Sequence, residues 1–189
     1  MDYTVYSDLT TAESFALNEQ LDALGVGGVV RWRGVQHEPG LPVPMQARDR
    51  RTAERVEDEI AALKRRDPGI DIAQPPGMPN TSRAIIAVAS VLRAHPSRAA
   101  EFRNALFRAY WRDRVDLSVA AELQRIADAV SVPPFVELDH PDAVTLAESW
   151  EVEWSVERLG GVPRVIRGDG RILWGFRPRD EAAAFFGVA

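Results

Sequence analysis

The sequence contains no cysteine. That removes disulfides, thiolate metal sites, iron–sulfur clusters, a cysteine nucleophile and any dithiol redox cycle carried by the chain's own atoms. Histidine is almost as scarce. Only His37, His95 and His140 occur, so a histidine-built metal site is not expected. Lys64 is the one lysine; the other basic residues are arginines, a bias that codon usage in a GC-rich genome explains. The 23 basic residues face 28 acidic ones, for a net charge of −5. This mild acidity argues against a phosphate-backbone binder, so no nucleic-acid partner is expected. No run of about 18 apolar residues is present to span a membrane. The opening residues 1–10 show no basic stretch followed by an apolar core, so a cytoplasmic location without a signal peptide is expected.

What the chain does have is an ordinary globular composition. Of 189 residues, 46% are apolar and 27% charged. At this length a fold buries roughly 70% of the unfolded surface, enough for one good core. One domain, or one domain with a large insertion, is expected.

Local patterns give the order of elements. Residues 3–7 read as a β-branched and aromatic strand, and 12–24 as a helix with Phe15, Leu17, Leu21 and Leu24 on one face and Gly25 at its end. Residues 27–36 read as a second strand, parallel to the first, followed by an extended loop at Pro39, Pro42 and Pro44. From 46 to 157 the reading is almost all helical. A charged helix over 46–66 is followed by a break at Pro75–Pro79. Segments over 82–94, 98–112, 117–130 and 140–159 come next, with Ser97 and Asp139 as N-caps of the second and fourth and Leu92 on the apolar face of the first. Residues 162–167 and 171–174 read as strands joined by the hairpin signal Asp169–Gly170, and 178–186 as a last helix with Phe185 and Phe186 turned inward. The order is β-α-β, a helical block, then β-β-α. That order is the one expected of an α/β thioredoxin-like core (1–45 and 158–189) with an all-helical insertion (46–157).

Several local sequences sharpen that reading. The stretch from Tyr6 through Asp8, Leu9, Thr10, Thr11, Ala12, Glu13 and Ser14 to Phe15 resembles the first strand and active-site turn of the DsbA-like family, which includes disulfide oxidoreductases, 2-hydroxychromene-2-carboxylate isomerases and kappa-class glutathione transferases. Trp32-Arg33-Gly34-Val35 through Pro39, Asn80-Thr81 heading a helix, Gly161-Val162-Pro163 and Leu173-Trp174-Gly175 resemble further family segments in the same order. Together the resemblance runs the length of the chain. It implies a cis bond before Pro163, a ligand-facing backbone at Val162, and a binding cleft that includes Trp174. It also places Thr11 and Ser14 where the oxidoreductases carry their two redox cysteines. Dithiol–disulfide exchange is therefore excluded for this chain. In the isomerase and transferase branches a hydroxyl engages the sulfur of glutathione, and Thr11 stands at that position. Ala12 replaces the family's proline, Glu13 its aromatic residue, and Phe176-Arg177-Pro178 the polar residues that follow Trp-Gly in relatives.

Is a hydroxyl sufficient there? Ionising a thiol of pKa ~8.5 at neutral pH needs about 2 units, or ~2.7 kcal/mol. A helix N-terminus contributes up to ~2 kcal/mol and a charge-assisted hydrogen bond roughly 1.5–3 kcal/mol. Glu13 opposes a thiolate unless it turns away. Two readings of Thr11 stay open: thiol contact as the catalytic residue, or simple capping of the helix, with Ser14 an ordinary first-turn residue. Pro163 likewise is either ligand platform or scaffold. The expectation is a cysteine-free site that binds glutathione or another small thiol or peptide-like ligand, through Thr11 with Ser14, Val162, Pro163 and Trp174. Whether it is an enzyme of isomerase or transferase type stays open. The alternative is a non-catalytic binding or assembly module, for instance a homodimer built on the insertion helices. Weaker candidates are read structurally. The Gly25–Gly28 stretch follows a helix and enters a strand, so it is no phosphate loop; Glu137, Asp139, His140 and Asp142 read as capping rather than metal ligands; His37 and His95 read as surface residues. The tryptophans at 32, 111, 150, 154 and 174 read as core, with Trp150 and Trp154 as alternative cleft residues.

Overall fold

The computed structural model describes residues 2–134, 136–156 and 160–188. Its elements are β1 (Tyr3–Ser7), α1 (Ala12–Ala23), β2 (Val30–Gly34), α2 (Arg50–Arg66), α3 (Ser82–Ala94), α4 (Pro96–Trp111), α5 (Ala120–Ala129), α6 (Pro141–Val156), β3 (Arg164–Arg167), β4 (Ile172–Trp174) and α7 (Arg179–Phe186). The sheet runs β2-β1-β3-β4, with β1 parallel to β2 and antiparallel to β3, and β4 antiparallel to β3. This is the predicted α/β thioredoxin-like arrangement, β-α-β before the helices and β-β-α after them.

Register sorts the side chains. Val5 lies opposite Trp32 and Val165, and Val165 opposite Leu173, a row that is buried throughout. The next row is Arg33, Tyr6, Arg164 and Trp174. Tyr3 and Arg167, paired across β1 and β3, both meet α7: the Tyr3 hydroxyl donates to the Phe186 carbonyl at 2.9 Å and Arg167 Nη1 to the Phe185 carbonyl at 3.0 Å. Phe186 is buried and Phe185 half-buried.

α1 is buried along most of its length because helices pack against it as well as the sheet. Phe15 stacks on Trp111 of α4 at 6.1 Å, and the Trp111 indole donates to the Leu9 carbonyl at 3.0 Å. One apolar cluster runs without a break from Val5 and Phe15 through Val88, Phe102 and Phe107 to Trp150, Val165 and Phe186.

Several boundaries differ from the sequence reading. β2 is shorter than 27–36, because Gly27 and Gly28 form part of a turn closed by Val29 N–H on the Val26 carbonyl. α4 begins at Pro96, not after Ser97. Proline suits the first helical position, where no N–H is needed, and Ser97 Oγ instead lies 3.0 Å from His95 Nδ1. α6 starts at Pro141 and is capped by His140 rather than Asp139: the His140 carbonyl accepts from Ala143 and Val144, and its ring Nδ1 from the Asp142 N–H at 3.2 Å. The end of the predicted 140–159 helix beyond Val156 lies outside the described residues. In α3 the buried face is wider than read. Ala84, Ile85, Ala87, Val88, Ala89 and Val91 are all covered, while Leu92 reaches solvent. Trp174, read as core, is 49% exposed.

Candidate functional site

β1 and β2 are parallel and end level, Ser7 opposite Gly34, so the residues that follow each strand share one end of the sheet. Asp8 follows β1 and is buried. Its carboxylate accepts from the Thr10 N–H at 2.7 Å, the Thr10 hydroxyl at 2.6 Å and the His37 N–H at 3.0 Å, and it lies 3.2 Å from His37 Nδ1. That hydrogen bond raises the His37 pKa above its ordinary value, with burial working against it. Beside it, Glu151 of α6 accepts from the Gln36 N–H at 2.5 Å, and burial, aided by Asp8, raises its pKa. With its amide oriented to suit its neighbours, the Gln36 oxygen accepts from the N–H groups of Thr81 and Ser82 and so caps α3, which Thr81 leaves uncapped. His37 is at the surface, as read, yet it is tied to Asp8 across a gap of 29 residues in sequence. Sequence reading missed that pair; the signal was the parallel alignment of the two strand ends.

Thr11 is the N-cap residue of α1 with extended backbone (φ −98°, ψ 132°), but its side chain makes no capping bond. Its hydroxyl lies 2.6 Å from Ser14 Oγ and 3.4 Å from the Asp8 carbonyl. Thr11 is half-buried and Ser14 fully buried. The N–H groups of Ala12, Glu13 and Ser14 have no acceptor among the described residues, as expected of an uncapped helix start. When Ser14 donates to Thr11, the Thr11 proton is free to point outward. The pair then forms a short relay with its donor end at the positive end of α1.

Glu13 connects this turn to the other half of the sheet. It pairs with Arg66 at 2.7 Å, and a Cβ at Gly175 would stand 2.7 Å from Glu13 Oε2. Gly175 has φ +65° and donates its N–H to the Pro163 carbonyl at 2.9 Å. The Val162–Pro163 bond is cis, as is Val43–Pro44. The backbone N–H and C=O of Val162 have no partner among the described residues, since β3 pairing starts at Arg164. Val162, like Trp154 and Ile166, packs against the buried cluster of Tyr6 and Val35. Thus Thr11 and Ser14 are in direct contact, while Val162, Pro163 and Trp174 reach the helix start through Gly175 and Glu13.

The row Arg33, Tyr6, Arg164 and Trp174 borders Val162. Arg33 donates to the Tyr6 hydroxyl at 2.8 Å and forms an ion pair with Glu153, which also accepts from Tyr6. Arg164 is 2% exposed, with its guanidinium 3.2 Å from the centre of the Trp174 ring and 5.7 Å from that of Trp154. Its Nε and Nη2 have no hydrogen-bond partner among the described residues, and burial lowers its pKa. Sequence reading passed over Arg164, although strand alternation puts it on the same side as Val162 and Ile166. Trp154 packs on Tyr6 at 5.4 Å, whereas Trp150 is buried against Trp32. Asp142 pairs with Arg93, and among the described residues no group of three histidine, aspartate or glutamate side chains is placed to hold a metal.

No family model matches the chain, and no curated protein matches it. Solved structures do. A candidate protein disulfide isomerase from Nitrosomonas europaea superposes with a TM-score of 0.74 at 13% identity, over 99% of this chain and 97% of its own. For 2-hydroxychromene-2-carboxylate isomerase the values are 0.71 and 17%, over 99% and 93%. For the cytosolic disulfide reductase DsbM from Pseudomonas aeruginosa, solved with GSH, they are 0.71 and 11%, over 99% and 98%. At these identities the likeness is one of fold: the chain has the DsbA-like thioredoxin fold without its cysteines.

Proposed function

We propose that the start of α1 binds a small thiol or peptide-like ligand, with glutathione as the leading case, and that any catalysis is of isomerase or transferase type. The observation that carries this reading is the Thr11–Ser14 hydroxyl pair, 2.6 Å apart, at a helix start whose N–H groups it does not cap. Thr11 would donate to the ligand sulfur. Ser14, 2.6 Å away, would hold the Thr11 hydroxyl in place. The helix N-terminus would favour the thiolate form. Val162 would pair with an extended ligand backbone beside Pro163, as a short added strand. Trp174 would wall the cleft, and Arg164, whose Nε and Nη2 have no acceptor among the described residues, would take a ligand carboxylate. Glu13, which would repel a thiolate, is partly neutralised by Arg66. Support from outside the chain is the DsbM structure with GSH on the same fold. A cytoplasmic location suits this ligand, and no helix among the described residues is long and apolar enough to cross a membrane.

Calorimetry tests the reading. Glutathione is expected to bind saturably, S-methylglutathione to bind more weakly, and Thr11→Val to weaken glutathione about tenfold, or ~1.4 kcal/mol. No heat at millimolar glutathione would overturn it. One observation favours a second reading, a non-catalytic assembly module: Val152, Val156, Ile172 and Trp174 are large apolar side chains left exposed on α6 and β4. Sedimentation that shows a monomer, with no partner recovered from native extract, removes that alternative.

A further inference from the structure

At the opposite end of the parallel strand pair, before β2 begins, lies a second feature that the thiol reading does not use. A cavity of about 360 Å³ opens between the Gly27–Trp32 segment and helices α3, α4 and α6. Its walls are apolar and include Val30, Val88, Leu146 and Trp150. Val29 and Leu92, both exposed, also border it. Among the described residues no aspartate or glutamate lines it, although the protein is acidic overall, and its two charged lining residues are Arg31 and Arg103.

Arg103 is only 2% exposed and has no carboxylate in salt-bridge contact among the described residues. Nε donates to Asn18 Oδ1 at 2.8 Å, and Nη2 makes longer contacts to the Asn104 side chain and the Gly27 carbonyl. Nη1 has no hydrogen-bond partner among the described residues. Trp32 lines the same cavity, and its buried indole N–H also lacks an acceptor among the described residues. Burial holds Arg103 down to about 10, eased only by the more distant charge of Asp22. A buried cation without a carboxylate is costly unless an anion joins it. Here donors lack acceptors beside an apolar space large enough for a small molecule.

We propose that this cavity binds an amphipathic carboxylate, its apolar body between α3, α6 and β2 and its carboxylate on Arg103, with Arg31 at the rim. The buried Arg103 charge, with an Nη1 donor that has no partner among the described residues, favours a carboxylate over an uncharged alcohol. The site is independent of Thr11.

Trp32 and Trp150 line the cavity, so intrinsic fluorescence reports its occupancy. Decanoate, titrated below its micelle concentration at fixed ionic strength, is expected to give a saturable change, with decanol at least about tenfold weaker. Leu92→Glu places a carboxylate at an already exposed border position, where the fold tolerates it. It is expected to weaken decanoate about tenfold more than decanol, and Arg31→Gln to weaken decanoate a few-fold. Thr11→Val is expected to leave decanoate binding unchanged. Equal affinity for acid and alcohol, indifference of decanoate to Leu92→Glu, or no saturable change overturns the proposal.

Discussion

Asp8 is a buried carboxylate that rests on three hydrogen-bond donors and a histidine ring, and its partners have a pH signature. The pKa values of His37 and Glu151 are both raised in the fold, the first mainly by Asp8 and the second mainly by burial. In each case the folded chain holds a proton that the unfolded chain releases sooner, so stability falls as pH rises through the shifted value. For His37 the contribution is complete below its ordinary 6.5 and fades above it. Because His37 is well exposed, the effect is modest. Thermal melting between about pH 5.5 and 8.5 is expected to show a falling Tm, and His37→Gln to flatten that slope. A slope unchanged in His37→Gln would contradict this account.

The first turn of α1 meets the end of β4 at Gly175. Its φ of +65° is a conformation that other residues adopt at a cost, and the space its side chain would need holds the Glu13 carboxylate. Gly175→Ala is therefore expected to cost about 1–2 kcal/mol in denaturant unfolding. Removing the carboxylate with Glu13→Ala relieves only the steric part, since the backbone strain remains. Full recovery in the double variant would show that the backbone conformation is not strained. The Glu13–Arg66 pair itself, half-exposed on both sides, contributes at most ~1 kcal/mol.

Across the whole molecule, sheet and helices share one core. Trp111 of α4 reaches back to the Leu9 carbonyl, Arg103 of α4 to Asn18 of α1, and Trp150 of α6 to Trp32 of β2. The residues read from sequence as core and insertion are thus joined by buried contacts rather than by a linker. Calorimetry is expected to give a single cooperative transition, with equal van't Hoff and calorimetric enthalpies. Two resolved transitions would mean that the helical block melts by itself. Phe107→Ala, at a fully buried position in α4, is expected to lower that single transition, at a cost of about 3–5 kcal/mol, rather than to split it.

The sequence by itself determined the order of elements. β-Branched and aromatic residues marked β1, the apolar spacing at Phe15, Leu17 and Leu21 marked α1, Asp169–Gly170 marked the final hairpin, and the absence of cysteine excluded dithiol chemistry. These are local patterns, set by backbone geometry and side-chain period, and so they are written within a few neighbouring residues. Caps were less legible. Pro96 and His140 displaced Ser97 and Asp139 because a helix start depends on which neighbour supplies the acceptor, and proline at the first position shifts that choice by a residue or two. Only the tertiary structure joined Asp8 to His37, laid Arg164 over the Trp174 ring, and left Arg103 without a carboxylate in contact among the described residues beside an apolar cavity. Each of these depends on which distant side chains exclude water from a charge, and that is decided by packing across tens of residues rather than by spacing along the chain.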